Sequence, residues 1–299
     1  AYRSPLAGLS LAARTPARHV SVDWRVTSYT GLAAGHDQER PDYGTRAEDV
    51  DEPPMAAASH ILQFPRGSRA GTFMHKLLER CDFPNARGEV LAQEVQKQLQ
   101  RHGFDASWQG AMEAMVGNVL DTPLDGAGLR LRDVTAARRL IELEFYYPLR
   151  PFDAAGLTGV TARFADYFHS GPALDFHVGA GVMRGFIDLV FEHDGRFYIA
   201  DYKSNYLGAC TTDYERARVA AAVTANRYDL QYLIYCVALH RYLQRRVEGY
   251  AYERHFGGVY YLFLRGMDAR RGPETGVHFD RPAAALVEAL DGLFAGRGA

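Results

Sequence analysis

Residues 185–204 read GFIDLVFEHDGRFYIADYKS, two strand-like runs around one tight turn. GFIDLVFEH and RFYIADYKS are rich in β-branched and aromatic side chains, so each reads as a strand. Between them, Asp194-Gly195 is a strong hairpin signal, because a type I′ turn needs φ > 0 at both central positions. A two-residue loop there fixes the register: His193 faces Arg196, and counting outward brings Asp188 opposite Asp201. Directly opposed residues share a face, and alternation along the second strand adds Lys203, opposite Phe186. Ile187, Leu189, Val190, Phe191, Ile199 and Ala200 leave both faces apolar, which implies a strand pair inside a covered sheet.

Two carboxylates facing each other there need a compensating charge. Opposed like charges at about 5 Å destabilise a strand pair. Desolvation sharpens the repulsion unless a carboxyl is protonated or a cation lies between them. A divalent ion meets that need. Oxygen ligands favour a hard cation such as Mg²⁺ or Mn²⁺, and an adjacent lysine can orient or deprotonate a water for phosphodiester hydrolysis. The alternative is a buried Asp-Lys ion pair with a second aspartate at a strand end.

The spacing of Asp188 from Asp201-Tyr202-Lys203 resembles the core of the PD-(D/E)XK nuclease superfamily. The wording GFIDLVFEHDGRFYIADYKSNYLG is similar to the RecB-type nuclease domains within it, and the likeness runs from about Val20 onward. The resemblance implies an α/β, restriction-endonuclease-like fold: a mixed central sheet flanked by helices, with an N-terminal helical elaboration. Residues 19–299 would form that nuclease domain and residues 1–18 a tail or linker from an upstream domain. The implied activity is divalent-metal-dependent hydrolysis of DNA phosphodiesters, chiefly of single strands delivered by a helicase, in double-strand-break repair and homologous recombination. Implied partners are DNA, RecC and RecD in a heterotrimer, and RecA, in the bacterial cytoplasm. A non-catalytic DNA- or RecA-binding module of the same fold is the rival, and the presence of Asp188, Asp201 and Lys203 argues against it.

Further site residues follow from the same resemblance. GTFMHKLLE (71–79) is similar to the GxxxHxxLE stretch whose histidine joins the metal shell, so His75 becomes a ligand beside Asp188, Asp201 and the backbone carbonyl of Tyr202. A nitrogen ligand lets Mn²⁺ compete well with Mg²⁺. ELEF (142–145) resembles an ExPF motif with Glu144 where the proline usually stands. Glu142 then matches the acid, as an outer acid or second-metal ligand, with Glu144 the competing choice. Gln231 and Tyr235, at i and i+4, match a QxxxY stretch, as residues that contact DNA or organise the site.

Composition bounds the rest. The chain has 299 residues, 47% of them hydrophobic, ample for a sizeable core. No apolar run approaches the roughly 18 residues of a membrane span. Cys81, Cys210 and Cys236 are widely spaced, which excludes a disulfide framework and a complete four-cysteine iron-sulfur site. A net charge of −2 gives no overall basic field, so DNA would have to be gripped by local features. Lys203 is one of only three lysines among 34 basic residues. No Gly-Lys dipeptide occurs, so no P-loop is present and no bound nucleotide is expected.

Taken in order, residues 19–32 alternate as a strand, and 33–60, polar and rich in Pro, Gly and Ala, read as a mobile loop. Thr72 is a candidate N-cap for a helix that turns Phe73, Leu77 and Leu78 inward. Residues 88–103 and 107–124 read as helices, the first closed by Gly103. Residues 138–149 form a strand with Glu142 and Glu144 on one face. The stretch 151–183 carries no clear pattern. Residues 211–246 read as two helices or one bent helix, 257–267 as a strand, and PAAALVEALDGLFAG as a terminal amphipathic helix. Arg245, Arg246, Arg270 and Arg271 are weaker candidates for phosphate contact.

Overall fold

The computed structural model describes residues 24–34, 60–164, 167–168 and 170–297. The expected tail 1–18, the start of the first strand and nearly all of the expected 33–60 loop lie outside these residues. In chain order the elements are β1 (Arg25–Thr27), α1 (Tyr29–Ala34), α2 (Ser68–Arg80), α3 (Gly88–His102), α4 (Gln109–Asp121) and β2 (Arg139–Leu149). Then follow β3 (Phe152–Asp153), α5 (Ala154–Thr161), β4 (His177–Val178), β5 (Gly181–His193), β6 (Arg196–Lys203), α6 (Arg216–Ala225) and α7 (Tyr228–Arg246). The chain closes with α8 (Tyr252–His255), β7 (Phe256–Phe263), β8 (Val277–Asp280) and α9 (Ala284–Phe294).

β5 and β6 form the expected hairpin. Asp194 and Gly195 both have positive φ, 49° and 75°, as a type I′ turn requires, and the Gly195 N–H donates to Glu192 Oε1 at 2.8 Å. The register counted from the turn holds from His193–Arg196 to Leu189–Ala200. Around this pair the main sheet runs β1-β5-β6-β7-β8, with β2 on the other side of β5. β1–β5 and β6–β7 are parallel and the remaining pairings antiparallel, so the sheet is mixed.

Helices cover both faces. On one side, Phe73, Leu77, Val95, Met112, Met115 and Leu120 from α2–α4 pack with Leu189, Phe191, Ala200, Tyr202 and Leu262. On the other, Leu233, Val237 and Leu239 of α7 and Leu290 of α9 pack with Met183, Ile187, Val190, Ile199 and Phe263. A sheet apolar on both faces needs this three-layer cover, and the N-terminal helical elaboration supplies one layer.

Strict alternation fails at one step. Met183 and Ile187 point to the α7 side, but Leu189 and Phe191 point to the α2 side. The partner strand switches with it: Leu143 and Phe145 pack towards α7 and Ile141 towards α2. The switch falls between Ile141–Leu189 and Leu143–Ile187, where Glu142 has φ 52° and stands across from Asp188. A left-handed residue inside a ladder twists the strand and re-aims its side chains. Beyond Leu189–Ala200 the β5–β6 ladder opens as well. Neither the expected Asp188–Asp201 pair nor the Phe186–Lys203 pair belongs to the ladder: the Asp188 carboxylate accepts the Tyr202 N–H, Phe186 lies across from Glu144 and is exposed, and Lys203 is buried beside Phe263 of β7.

Other departures are local. The first strand ends at Thr27 and gives way to α1, because Tyr29 and Leu32 at helical spacing bury against the α7 side. α2 begins one turn before Thr72, after Gly67 at φ 95°; Thr72 is inside the helix, its hydroxyl donating to the Ser68 carbonyl. Phe73, Leu77 and Leu78 are buried as expected, and Gly103 closes α3 in the left-handed conformation. Residues 211–246 form two helices, α6 and α7, preceded by a 3-10 turn. Among the described residues no helix is long and apolar enough to cross a membrane.

Candidate active site

Where the ladder opens, residues 184–188 of β5 keep β2 on one side. On the other, β1 reaches only Gly181–Met183 and β6 only Leu189–His193. Asp188 ends this gap. Its Oδ2 accepts the Tyr202 N–H at 2.8 Å, taking the place a ladder carbonyl would fill. His75 Nδ1 of α2 lies 3.3 Å from the same oxygen, and its ring meets Tyr202 edge to face. His75 reaches this point because Phe73, Met74, Leu77 and Leu78 anchor α2 in the core. Burial alone would raise the Asp188 pKa, but His75, the Tyr202 N–H and Lys203 outweigh it and hold the carboxyl below its usual range. Burial likewise works against a charged His75, and the Asp188 and Asp201 carboxylates overcome it, so the net shift is upward.

Lys203 is held from several directions. Its Nζ is 2.7 Å from Asp201 Oδ1 and donates to Gln231 Oε1 at 2.9 Å. The ammonium also lies 4.0 Å from the centre of the Tyr228 ring and 5.0 Å from that of Tyr261. Tyr261 donates its hydroxyl to the same Gln231 oxygen at 2.7 Å, and Gln231 Nε2 donates to the Tyr235 hydroxyl at 3.1 Å. Gln231 is 2% exposed, so of the two roles open to it this burial favours organising Lys203 over touching a ligand.

The two acids of β2 have different surroundings. Glu142 stands across from Asp188 and next to Glu79 of α2; burial first, then these two carboxyls, push its pKa up to about 7. Glu144 is exposed, pairs with Arg184 at 3.0 Å and accepts the Tyr146 hydroxyl. Glu79, tied to Lys76 at 2.7 Å, was not singled out from the sequence, yet its i+4 spacing from His75 puts both on one helix face. Tyr228 and Tyr261 gave no such signal, because aromatic residues on a helix and a central strand read simply as core.

Arg265 was also unanticipated. It is buried, and its guanidinium donates to the carbonyls of Ile61 (3.0 Å), Phe64 (2.9 Å), Pro65 (2.5 Å) and Ser204 (2.9 Å). It therefore ties the segment leading into α2 to the residue after Lys203. Of the arginines expected to meet phosphates, Arg270 and Arg271 are paired with Asp268 and Glu215, and Arg246 lies over Tyr242.

Among the described residues, no three His, Cys, Asp or Glu side chains stand in a ready-made metal-ligating array. The donors are instead turned to neighbours, His75 to Asp188 and Lys203 to Asp201. The chemistry of the set nevertheless fits a hard divalent ion. Asp188 and Glu79 lie close enough to Glu142 that, after burial, their charges help push its carboxyl up to about 7, so negative charge accumulates beside Asp188.

The chain matches the family model for the PD-(D/E)XK nuclease superfamily over residues 51–298. It is similar to the RecBCD enzyme subunit RecB of Escherichia coli (strain K12), 41% identical over 295 residues, covering 96% of this chain and 24% of that protein. The same subunit of Haemophilus influenzae is 35% identical over 92% of the chain and 24% of the relative. That of Mycobacterium tuberculosis is 33% identical over 92% of the chain and 29% of the relative. The chain thus spans about a quarter of the length of these relatives. With the mixed sheet, the hairpin and Asp188, Asp201 and Lys203 in the spacing of that motif, the chain belongs to the PD-(D/E)XK nuclease superfamily.

Proposed function

We propose that this chain is a divalent-metal-dependent deoxyribonuclease domain acting on DNA strands within a RecBCD-type assembly. The observation that carries the reading is the meeting of the Asp188–His75 and Asp201–Lys203 pairs at the opening of one ladder. Asp188, Asp201, His75 and the Tyr202 carbonyl are the groups that would hold the ion, Mg²⁺ or Mn²⁺. Such an ion supplies phosphate charge neutralisation and lowers the pKa of an attacking water.

The chain's own residues do the rest. Lys203, fixed by Gln231, Tyr228 and Tyr261, presents an ammonium that orients the water or steadies charge building on the phosphate. Glu142, with its carboxyl raised to about 7, can accept or release a proton near neutrality. RecC and RecD would be neighbours by analogy with the relatives, RecA a further partner, the setting strand-break repair and recombination, and the compartment the bacterial cytoplasm.

The test is cleavage of circular and linear single-stranded DNA in Mg²⁺, Mn²⁺ and EDTA, with Asp201→Ala beside the wild type. Metal-dependent cutting that the variant loses is expected, and cutting of the circle would establish endonuclease action. Equal behaviour of the two proteins, alone and in the assembled heterotrimer, would overturn the reading.

A further inference from the structure

Beside the candidate site the sheet carries a second feature, built from β2 and β5 where, among the described residues, no helix covers them. Tyr146 is 58% and Phe186 42% exposed, high values for such large rings. Cross-strand pairing sets Tyr146 against Arg184 and Glu144 against Phe186, so the four form a square patch on adjacent strands. The Arg184 guanidinium lies 5.6 Å from the Tyr146 ring centre and 5.5 Å from that of Phe186. Glu144 holds Arg184 at 3.0 Å and accepts the Tyr146 hydroxyl, which fixes both.

The side of the sheet follows from the packing. Leu143, Phe145 and Ile187 face α7, and a Cβ on Gly185 would strike the Phe145 ring at 2.5 Å. Arg184, Phe186, Glu144 and Tyr146 therefore point to the opposite side, the side of α2 and His75. Phe186 is two residues from Asp188, about 7 Å along a strand.

We propose that Tyr146 and Phe186, braced by Arg184 and Glu144, form a stacking platform that holds unpaired bases of a single strand beside Asp188. This rests on the nuclease reading and names the substrate form it favours. Two exposed rings bridged by one guanidinium mark a contact site, and their place two residues from Asp188, with the charge balance of the chain, selects nucleic-acid bases as the occupant. The chain has net charge −2 and its site gathers acids, so the phosphate backbone finds little general attraction. Stacking on neutral rings grips DNA without basic charge and is indifferent to sequence, since every base has a π face. The planar guanidinium beside the rings adds a third flat surface. Bases in a duplex are already stacked and cannot use it, so the platform selects single strands.

Fluorescence anisotropy in EDTA with a labelled 15-nucleotide oligothymidine, beside an abasic oligomer of equal length, tests this with the whole chain. Tyr146→Ala/Phe186→Ala should weaken oligothymidine binding by about 5- to 150-fold per ring, as base stacking predicts, and leave the abasic oligomer unchanged. Tyr146→Phe/Phe186→Tyr, which keeps both rings, should restore it. Unchanged oligothymidine affinity in the alanine pair would overturn the platform and turn the rings over to a protein partner. Equal weakening of both oligomers would overturn it too. Metal-dependent cutting by the wild type, measured in parallel, separates the two readings: cutting without ring dependence sinks the platform alone, and absence of cutting in the assembled enzyme sinks the nuclease.

Discussion

Arg265→Met is expected to loosen the join between the two halves of the site. The guanidinium is 2% exposed and donates to four carbonyls, three in residues 61–65 and one at Ser204. Burial lowers its pKa to about 10, so it remains charged at neutral pH. Methionine fills much of the volume but leaves the carbonyls without this donor, at about 1–3 kcal/mol for each that water cannot reach. Removing a buried charge returns several kcal/mol of desolvation. Four such carbonyls, less the returned desolvation, leave a net loss of about 3–5 kcal/mol. With a urea m-value of about 3 kcal/mol/M, the unfolding midpoint should fall by 1 M or more. Because the bonds join residues 61–65 to the chain after Lys203, cleavage should fall even at temperatures where the variant is folded. A midpoint within about 0.2 M of wild type, at equal m-value, would refute the assignment of Arg265 as the tie.

Gln231→Leu should lower kcat by about 100-fold, the cost of a misplaced catalytic group, with KM little changed; a KM effect alone would assign Gln231 to substrate contact. Asp121 accepts both arms of Arg132 at 2.8 Å. These hydrogen bonds outweigh the opposing effect of burial and, with the added charges of Arg132, Arg87 and Arg130, hold its carboxyl below the usual range. A depressed folded-state pKa gives stability that is present above the unfolded value of about 3.8 and lost as pH falls through the folded one. Asp121→Asn should therefore lower Tm at pH 7, and the gap to wild type should shrink as pH falls below 3.8; a gap that stays constant as pH is lowered would contradict this.

The hairpin could be read from the sequence because its signals are local. Asp194-Gly195 fixes a turn type, the turn fixes a register, and the register carries Asp188 towards Asp201. What the register could not supply was the break in alternation at Asp188. That break depends on Glu142, a non-glycine residue in a left-handed conformation, and nothing in the residue type announces such a φ. The same limit explains why Glu142 and Glu144 looked interchangeable on one strand face yet meet different neighbours.

Long-range contacts account for the rest. Lys203 was singled out by its spacing, but Tyr228 and Tyr261 reach it only through the parallel β6–β7 pairing and the seat of α7 on the sheet. Arg265 looked like one of many arginines, and its partners lie about 200 positions away. Glu79 is the exception, since its i+4 spacing from His75 was open to view in the quoted motif.

The most direct test of the central claim is an anomalous difference map from crystals of this chain grown with Mn²⁺. The expected result is a peak between Asp188 and Asp201, with His75 turned to it and metal–oxygen distances of roughly 2.0–2.2 Å, and loss of that peak in Asp188→Asn. A chain that cuts DNA while its Mn²⁺ lies elsewhere, or with the Asp188–His75 and Asp201–Lys203 pairs intact and no ion between them, would contradict it.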